Sequence, residues 1–306
     1  MKGKSAFFTY LLFATLSFSV PSLGGEPLGE ETLLEDVESL YNSIFIYKNG
    51  DYVSMTFGYD RRKYLESKIN VTDEMELPVS YTRYMNAGLF YPAKLKKVLV
   101  IGLGGGRTSW YLHRTMPALT IKAVELDSEV TRLAKKYFAI REEKNFKIIE
   151  KDGRSFLMGD KEKYDVIMLD AYRGPFVPFH LLTKEFYALV KDRLGQGGAV
   201  VQNIEPTTML FDSTVATMLS VFDSMEFFDA GGNIVAVAYD GPKKRAEDLA
   251  KAARQLQDKH NFVYALPAML NRRVLFTPAK SVKALTDDFA PVNALKAIAS
   301  HNRKWN

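Results

Sequence analysis

Lys97-Val98-Leu99-Val100-Ile101-Gly102-Leu103-Gly104-Gly105-Gly106-Arg107 is the stretch that decides the fold. The apolar run to Ile101 predicts a buried strand, and the glycines turn it into a helix over Thr108 to Thr115. Glycines at such a turn let backbone approach a ligand, and the helix start that follows favours negative charge. The spacing is G-x-G-x-G. Arg107 stands where a dinucleotide fingerprint needs its third Gly or Ala, which disfavours NAD.

Downstream, strands and helices alternate. Ile121 to Asp127 reads as strand and Ser128 to Phe138 as helix with a Ser N-cap. Phe146 to Glu150 and Tyr164 to Asp170 read as strands, Thr183 to Leu194 as a helix ending at Gly195, and Gly198 to Asn203 as a Val-rich strand. Such alternation predicts an α/β fold with a doubly wound, mostly parallel sheet. The tail adds a strand near Asn233 to Ala238, a helix over 243–260 and a last strand near Arg273 to Phe276. Upstream, residues 42–72 read as strands, with a hairpin around Asn49-Gly50. Residues 80–91 have helical spacing.

The chemistry falls at the strand ends, where doubly wound sheets bind ligands. Gly102, Gly104 and Gly106 form the first turn. Glu125 ends the second strand, 23 residues after Gly102, where a carboxylate can accept both hydroxyls of a ribose. Asp152-Gly153 follows the third strand, and Asp152 is suited to accept from an adenine amino group. Asp170 ends the fourth and is suited to orient or deprotonate an amine nucleophile.

Composition sets outer limits. The chain has 306 residues, 47% hydrophobic and 25% charged, with net charge +5. That is enough for a sizeable core, and it is not the composition of a disordered chain. No basic run marks a nucleic-acid tail. The absence of cysteine excludes disulfides, thiolate metal sites and a Cys nucleophile. Four histidines, at 113, 180, 260 and 301, lack metal-ligand spacing. No metal is expected.

The N-terminus begins with Lys2 and Lys4, continues with uncharged Ser5 to Val20 and exits through Pro21 to Gly25. This is the pattern of a secretory signal peptide. It predicts an exported or periplasmic protein, or a membrane-anchored one if uncleaved; a misassigned start leaves it cytoplasmic. The expected division is 1–24 signal peptide, 25–91 small β region with connecting helix, and 92–306 nucleoside-binding catalytic domain.

These residues together resemble the spermidine synthase (polyamine aminopropyltransferase) family, on the methyltransferase-like Rossmann fold. The likeness covers about residues 40–240. It lies in the glycine loop, Val124-Glu125-Leu126-Asp127, Asp152-Gly153, the strand from Tyr164 to Asp170, and Thr183-Lys184-Glu185-Phe186-Tyr187. The resemblance implies decarboxylated S-adenosylmethionine as cosubstrate, a catalytic Asp170 with Tyr81 beside the reacting amine, a small-molecule amine acceptor, and a homodimer formed through the β domains.

The departures are informative. Gly105 stands where the family has an Asp that helps hold the aminopropyl end, and Arg173 stands where it has a second Asp. The stretch 170–182 and Leu285 to Val292 are similar to the divergent branch often fused to membrane transporters, which raises a transporter partner. Arg173 is suited to a carboxylate or phosphate on another acceptor, or is a solvated loop arginine. Tyr172 lines the pocket or packs. His180 is a general base, or a packed or capping residue. Asp287 and Asp288 read as caps. Two other functions stay open: an S-adenosylmethionine-dependent methyltransferase, and a non-catalytic exported nucleoside-binding protein.

Overall fold

The computed structural model describes residues 31–59, 62–279 and 281–288. The signal-peptide segment 1–24 and the end of the C-terminal motif, 289–292, lie outside the described residues. Among the described residues, no helix is long and apolar enough to cross a membrane.

The chain begins with a four-stranded antiparallel meander: β1 (Thr32–Glu38), β2 (Ser43–Asn49), β3 (Tyr52–Tyr59) and β4 (Arg62–Asn70). β1 was not legible in the sequence, because it is acidic and largely exposed. The β2–β3 hairpin forms as expected, but its two loop residues are Gly50 and Asp51, since Asn49 already pairs with Tyr52. Gly50 supplies the positive φ at the first loop position.

Ile44, Ile46, Val53, Met55, Phe57 and Ile69 face inward and close on Val130, Leu133 and Phe138. That apolar contact fixes the small sheet against the helix α3 (Ser128–Tyr137) of the larger domain. It also lays β4 alongside the glycine loop.

The connecting helix is α1 (Ser80–Tyr84) running into a 3-10 turn, Met85–Phe90. Met85, Ala87, Leu89, Phe90 and Tyr91 are buried in the core of the larger sheet. The connector therefore packs with the second domain, although sequence patterning groups it with the first.

The larger sheet contains β5 (Lys97–Ile101), β6 (Thr120–Glu125), β7 (Phe146–Glu150), β8 (Tyr164–Leu169), β9 (Leu194–Ile204), β10 (Ser224–Asp229), β11 (Ile234–Tyr239) and β12 (Arg273–Val274). Their order is β12-β10-β11-β9-β8-β5-β6-β7. The pairs from β7 through β9 are parallel, and the β11, β10 and β12 pairs are antiparallel. β5 and β8 are neighbours, and the order reverses there. This is the topological switch point, where a crevice opens beyond the carboxyl ends of the strands.

The helices are α2 (Arg107–Thr115), α3, α4 (Gly153–Gly159), α5 (Lys184–Arg193), α6 (Phe211–Leu219), α7 (Ala246–Lys259) and α8 (Leu266–Met269). Asp127, not Ser128, caps α3: its side chain accepts from Glu129 N at 3.0 Å, and Ser128 is the first helical residue. Asp127 Oδ2 also accepts from Asn42 Nδ2 at 3.0 Å and from Ser39 Oγ at 2.5 Å, tying the two sheets together. The last strand is shorter than expected. Phe276 leaves it to pack edge-on against Phe211 and Phe227.

Candidate active site

A cavity of about 530 Å³ opens at the switch point. Gly102, Gly104, Glu125, Asp152, Gly153, Asp170, Tyr172, Arg173, His180 and Tyr81 all line it. The structure thus brings together every side chain expected in the catalytic, cofactor or substrate site. The exception is a glycine: Gly106 is the N-cap of α2, and a Cβ there would meet Ile140. Gly106 is a packing glycine and does not line the cavity.

Gly102 is where the backbone leaves no room for a side chain. Its φ is +94°, and a Cβ would fall 2.2 Å from the carbonyl oxygen of Asp170. The turn after β5 is therefore pressed onto the end of β8, which Asp170 N reinforces by donating to Ile101 O at 2.8 Å. The glycine loop and Asp170 are held as one unit.

Glu125 organises the same loop from the other side. Its Oε2 accepts from Leu103 N at 2.9 Å and Gly104 N at 3.4 Å, and its Oε1 accepts from Asp127 N at 3.0 Å. Burial pushes its carboxyl above the usual range, against the pull of those three amides. Oε1, with a single donor, keeps acceptor capacity for a ligand hydroxyl.

Asp170 sits at the centre. Tyr81 donates its phenol hydrogen to Oδ2 at 3.1 Å, and Asn203 Nδ2 donates to Oδ1 at 2.9 Å. Asn203 Oδ1 in turn accepts from Asn233 Nδ2 at 2.9 Å. This chain fixes the carboxylate plane. Burial raises the Asp170 carboxyl to about 7, with the Asn203 and Tyr81 hydrogen bonds acting against it. A carboxylate titrating there is matched to accept a proton near neutrality.

Asn203 and Asn233 were missed in the sequence. Asn203 had a usable signal, since it ends the Val-rich strand beside the one that ends in Asp170. Asn233 lies in the turn before β11 and offered none.

The loop from 171 to 183 forms one wall. Tyr172 OH donates to Asn203 O at 3.0 Å and accepts from Glu205 N at 3.1 Å, so it pins the loop to the end of β9. Arg173 is exposed at the rim, and its backbone bridges Phe176. His180 Nε2 meets Asp152 Oδ2 at 2.8 Å, while Asp152 Oδ1 caps α4 by accepting from Ser155 N at 2.8 Å. His180 is thus paired to Asp152, not to Asp170, and its placement is not that of a base at the reacting centre.

The wall is clasped from outside. Arg154 makes a two-point pair with Asp287, Nη1–Oδ1 2.7 Å and Nη2–Oδ2 2.5 Å, and donates to His180 O at 3.2 Å. Lys184 N donates to Leu285 O and Leu285 N donates to Thr217 Oγ1, each at 2.8 Å. The segment forms a strap over the loop, while the helix that Asp287 and Asp288 are expected to cap lies outside the described residues.

Arg107, the residue that broke the dinucleotide pattern, is buried. Its guanidinium donates to Phe138 O at 2.9 Å and to Glu74 O. It holds the small sheet's exit to the helix that follows the glycine loop.

Residues 80–230 match the spermine/spermidine synthase domain. The chain is 29% identical over 300 residues to the polyamine aminopropyltransferase of Vibrio vulnificus (strain CMCP6), covering 94% of this chain and 98% of that protein. Residues 80–230 of the chain belong to the spermine/spermidine synthase family. Its fold is that of a probable spermidine synthase from Corynebacterium glutamicum ATCC 13032 (TM-score 0.65, 19% identity, 87% of this chain and 98% of that one). It also aligns with human methyltransferase-like protein 13 in complex with SAH (TM-score 0.54, 23% identity, 66% of this chain and 97% of that one). The spermine/spermidine synthase domain here is thus a methyltransferase-like α/β domain behind a small antiparallel sheet.

Proposed function

We propose that this protein transfers an aminopropyl group from decarboxylated S-adenosylmethionine to a small-molecule amine. The observation that carries the reading is Asp170, fixed by Tyr81 and Asn203 at the switch point and locked to the glycine loop. Similarity to the Vibrio vulnificus polyamine aminopropyltransferase supports it.

In this mechanism the nucleoside lies over the glycine loop, with its ribose hydroxyls donating to Glu125 and its adenine toward Asp152. The amine nitrogen attacks the methylene carbon beside the sulfonium. A C–N bond forms as the C–S bond breaks, sulfur keeps the electron pair, and methylthioadenosine leaves. Asp170 takes the proton lost by the attacking nitrogen. The sulfonium supplies the driving force, so the protein's work is to orient, to hold the amine neutral, and to place negative charge beside cationic reactants.

The sequence departures bear on the acceptor. Arg173 at the rim adds positive charge where a second carboxylate would attract a diamine. An acceptor carrying one amine, or an amine and an anionic group, fits this rim better than a free diamine. We read residues 1–24 as an export signal and the small sheet as the dimer-forming part. Fractionation with N-terminal sequencing tests the first, and the solution mass of the purified protein tests the second.

The function is tested by incubating purified protein with decarboxylated S-adenosylmethionine and a panel of amines. Methylthioadenosine with an aminopropylated amine supports the reading. S-adenosylhomocysteine with a methylated product from S-adenosylmethionine replaces it with methyl transfer.

A further inference from the structure

Glu66 lies on β4, in the small sheet, yet it lines the same cavity as Asp170 and Glu125. Its Oε1 is buried and has no hydrogen-bond partner. No ion pair to it is formed among the described residues. Burial, with the charges of Asp170 and Glu125, holds its carboxyl well above the usual range. Glu66, Glu125 and Asp170 therefore form a cluster of three coupled carboxyl groups in a cavity that Asp152 also lines, and two of the lining cations are directed elsewhere. Arg107 donates to backbone carbonyls, and Lys151 is exposed with its ammonium beside Gly159.

A buried carboxylate without a partner is costly, and natural proteins keep one where a ligand completes it. Three together select a cation. The position of Glu66 says which cation. β4 lies against the glycine loop: a Cβ on Gly104 would be 3.8 Å from Glu66 O, and a Cβ on Gly105 would be 2.4 Å from Ser67 Oγ. Glu66 shares the cavity with Glu125, Asp170 and Tyr81 and is coupled electrostatically to all three. Set against the glycine loop in that company, it is placed to meet a cationic group on a chain that leaves the sulfonium.

We propose that Glu66 receives the primary ammonium of the aminopropyl group, and that the small sheet supplies the anchor the glycine loop lacks at Gly105. This rests on the aminopropyl-transfer reading. A side chain at 105 would collide with Ser67 and Phe138, so the loop cannot carry the anchor itself. The arrangement also discriminates between cosubstrates. S-adenosylmethionine bears a carboxylate on the carbon that carries its ammonium, and that carboxylate would enter a site already lined by this cluster.

The test is calorimetric titration of wild type and Glu66→Gln with decarboxylated S-adenosylmethionine, methylthioadenosine and S-adenosylmethionine. Methylthioadenosine has the nucleoside and sulfur but no ammonium. The substitution is expected to weaken decarboxylated S-adenosylmethionine by about 10- to 100-fold, to leave methylthioadenosine within about threefold, and to narrow the preference over S-adenosylmethionine. The unliganded variant should melt at or above the wild-type temperature, because an unpartnered buried ionisable group is replaced by a neutral amide. An equal loss for both ligands would mean Glu66 only shapes the pocket. Unchanged affinity for decarboxylated S-adenosylmethionine, with a raised KM for the acceptor, would move Glu66 to the amine side and overturn the assignment. If wild type prefers S-adenosylmethionine or binds none of the three, the aminopropyl-transfer reading fails with it; if wild type behaves as expected and only the variant does not, the anchor alone fails.

Discussion

The phenol of Tyr81, on α1, donates to Oδ2 of Asp170 at 3.1 Å, across the join between the connecting helix and the strand β8. The same carboxylate receives Asn203 on its other oxygen. Asp170→Asn keeps the shape and removes the base. We expect turnover to fall by about 10²- to 10⁴-fold with nucleoside affinity nearly unchanged. Tyr81→Phe should cost about tenfold in rate. Single-turnover kinetics beside calorimetry separates the two effects, and retained turnover in Asp170→Asn would remove it as the base.

The pH profile follows from the Asp170 carboxyl, raised to about 7 mainly by burial. The base works deprotonated, so kcat/KM should rise with pH and level off above about 7. Tyr81, Asn203, Glu66 and Tyr172 are the groups that face it. Removing the Asn203 donor, as in Asn203→Leu, takes away a bond that lowers this pKa, so the limb should shift to higher pH. Stability runs the other way. A carboxyl raised above its unfolded value contributes stability that is complete below about 4 and lost as pH rises through about 7. Asp170→Asn should therefore raise the melting temperature at pH 8 more than at pH 4.

Glu125 both holds the glycine loop through Leu103 N and Gly104 N and, in the proposed complex, offers the remaining lone pair of Oε1 to the nucleoside. Glu125→Ala should weaken methylthioadenosine by about 10- to 100-fold. Affinity for a 2′,3′-dideoxy analogue should fall less, since that ligand has no hydroxyls to lose. Equal losses for both would leave Glu125 only its loop-holding role.

Gly105→Asp would restore the residue that the family resemblance predicts in the loop. A Cβ there meets Ser67 Oγ at 2.4 Å and Phe138 Cδ1 at 2.5 Å. Overpacking of this kind costs about 1–3 kcal/mol. The variant should melt lower and gain no activity. A stable, more active variant would show that the small sheet yields easily.

The strap is exposed enough to be a modest stabiliser. The Asp287 side chain is 41% exposed and its carboxyl is held down to about 2, chiefly by Arg154. Discounted for solvent, the pair is worth about 0.2–1 kcal/mol. Asp287→Ala should barely move the melting temperature, yet speed proteolysis of the C-terminal segment and raise the acceptor KM a few-fold through the loosened 171–183 loop.

The larger sheet was legible because its strands are apolar runs that end in chemistry-bearing residues. The placing of the site at the strand ends followed from that alternation, while the strands that flank the switch point came from the sheet order. β1 was not legible, because an exposed acidic edge strand carries no apolar pattern. The Asp127 cap was hidden because Asp127 and Ser128 are both good caps, and only backbone geometry separates them. Glu66 was invisible for a different reason. It sits on β4 beside the buried Ser67, with no apolar pattern to mark its face, and its meaning comes from a contact between two domains. His180 reads in the sequence as a general base or as a packed or capping residue, and its pairing to Asp152 at 2.8 Å favours the structural role.

The most direct test of the account is product analysis with the purified protein, decarboxylated S-adenosylmethionine and a mixed set of mono-, di- and carboxyl-bearing amines. The account predicts methylthioadenosine released in step with an amine heavier by one aminopropyl group, and none of either from Asp170→Asn. Folded protein that releases no methylthioadenosine with any amine, or that yields S-adenosylhomocysteine and a methylated product from S-adenosylmethionine, would contradict it.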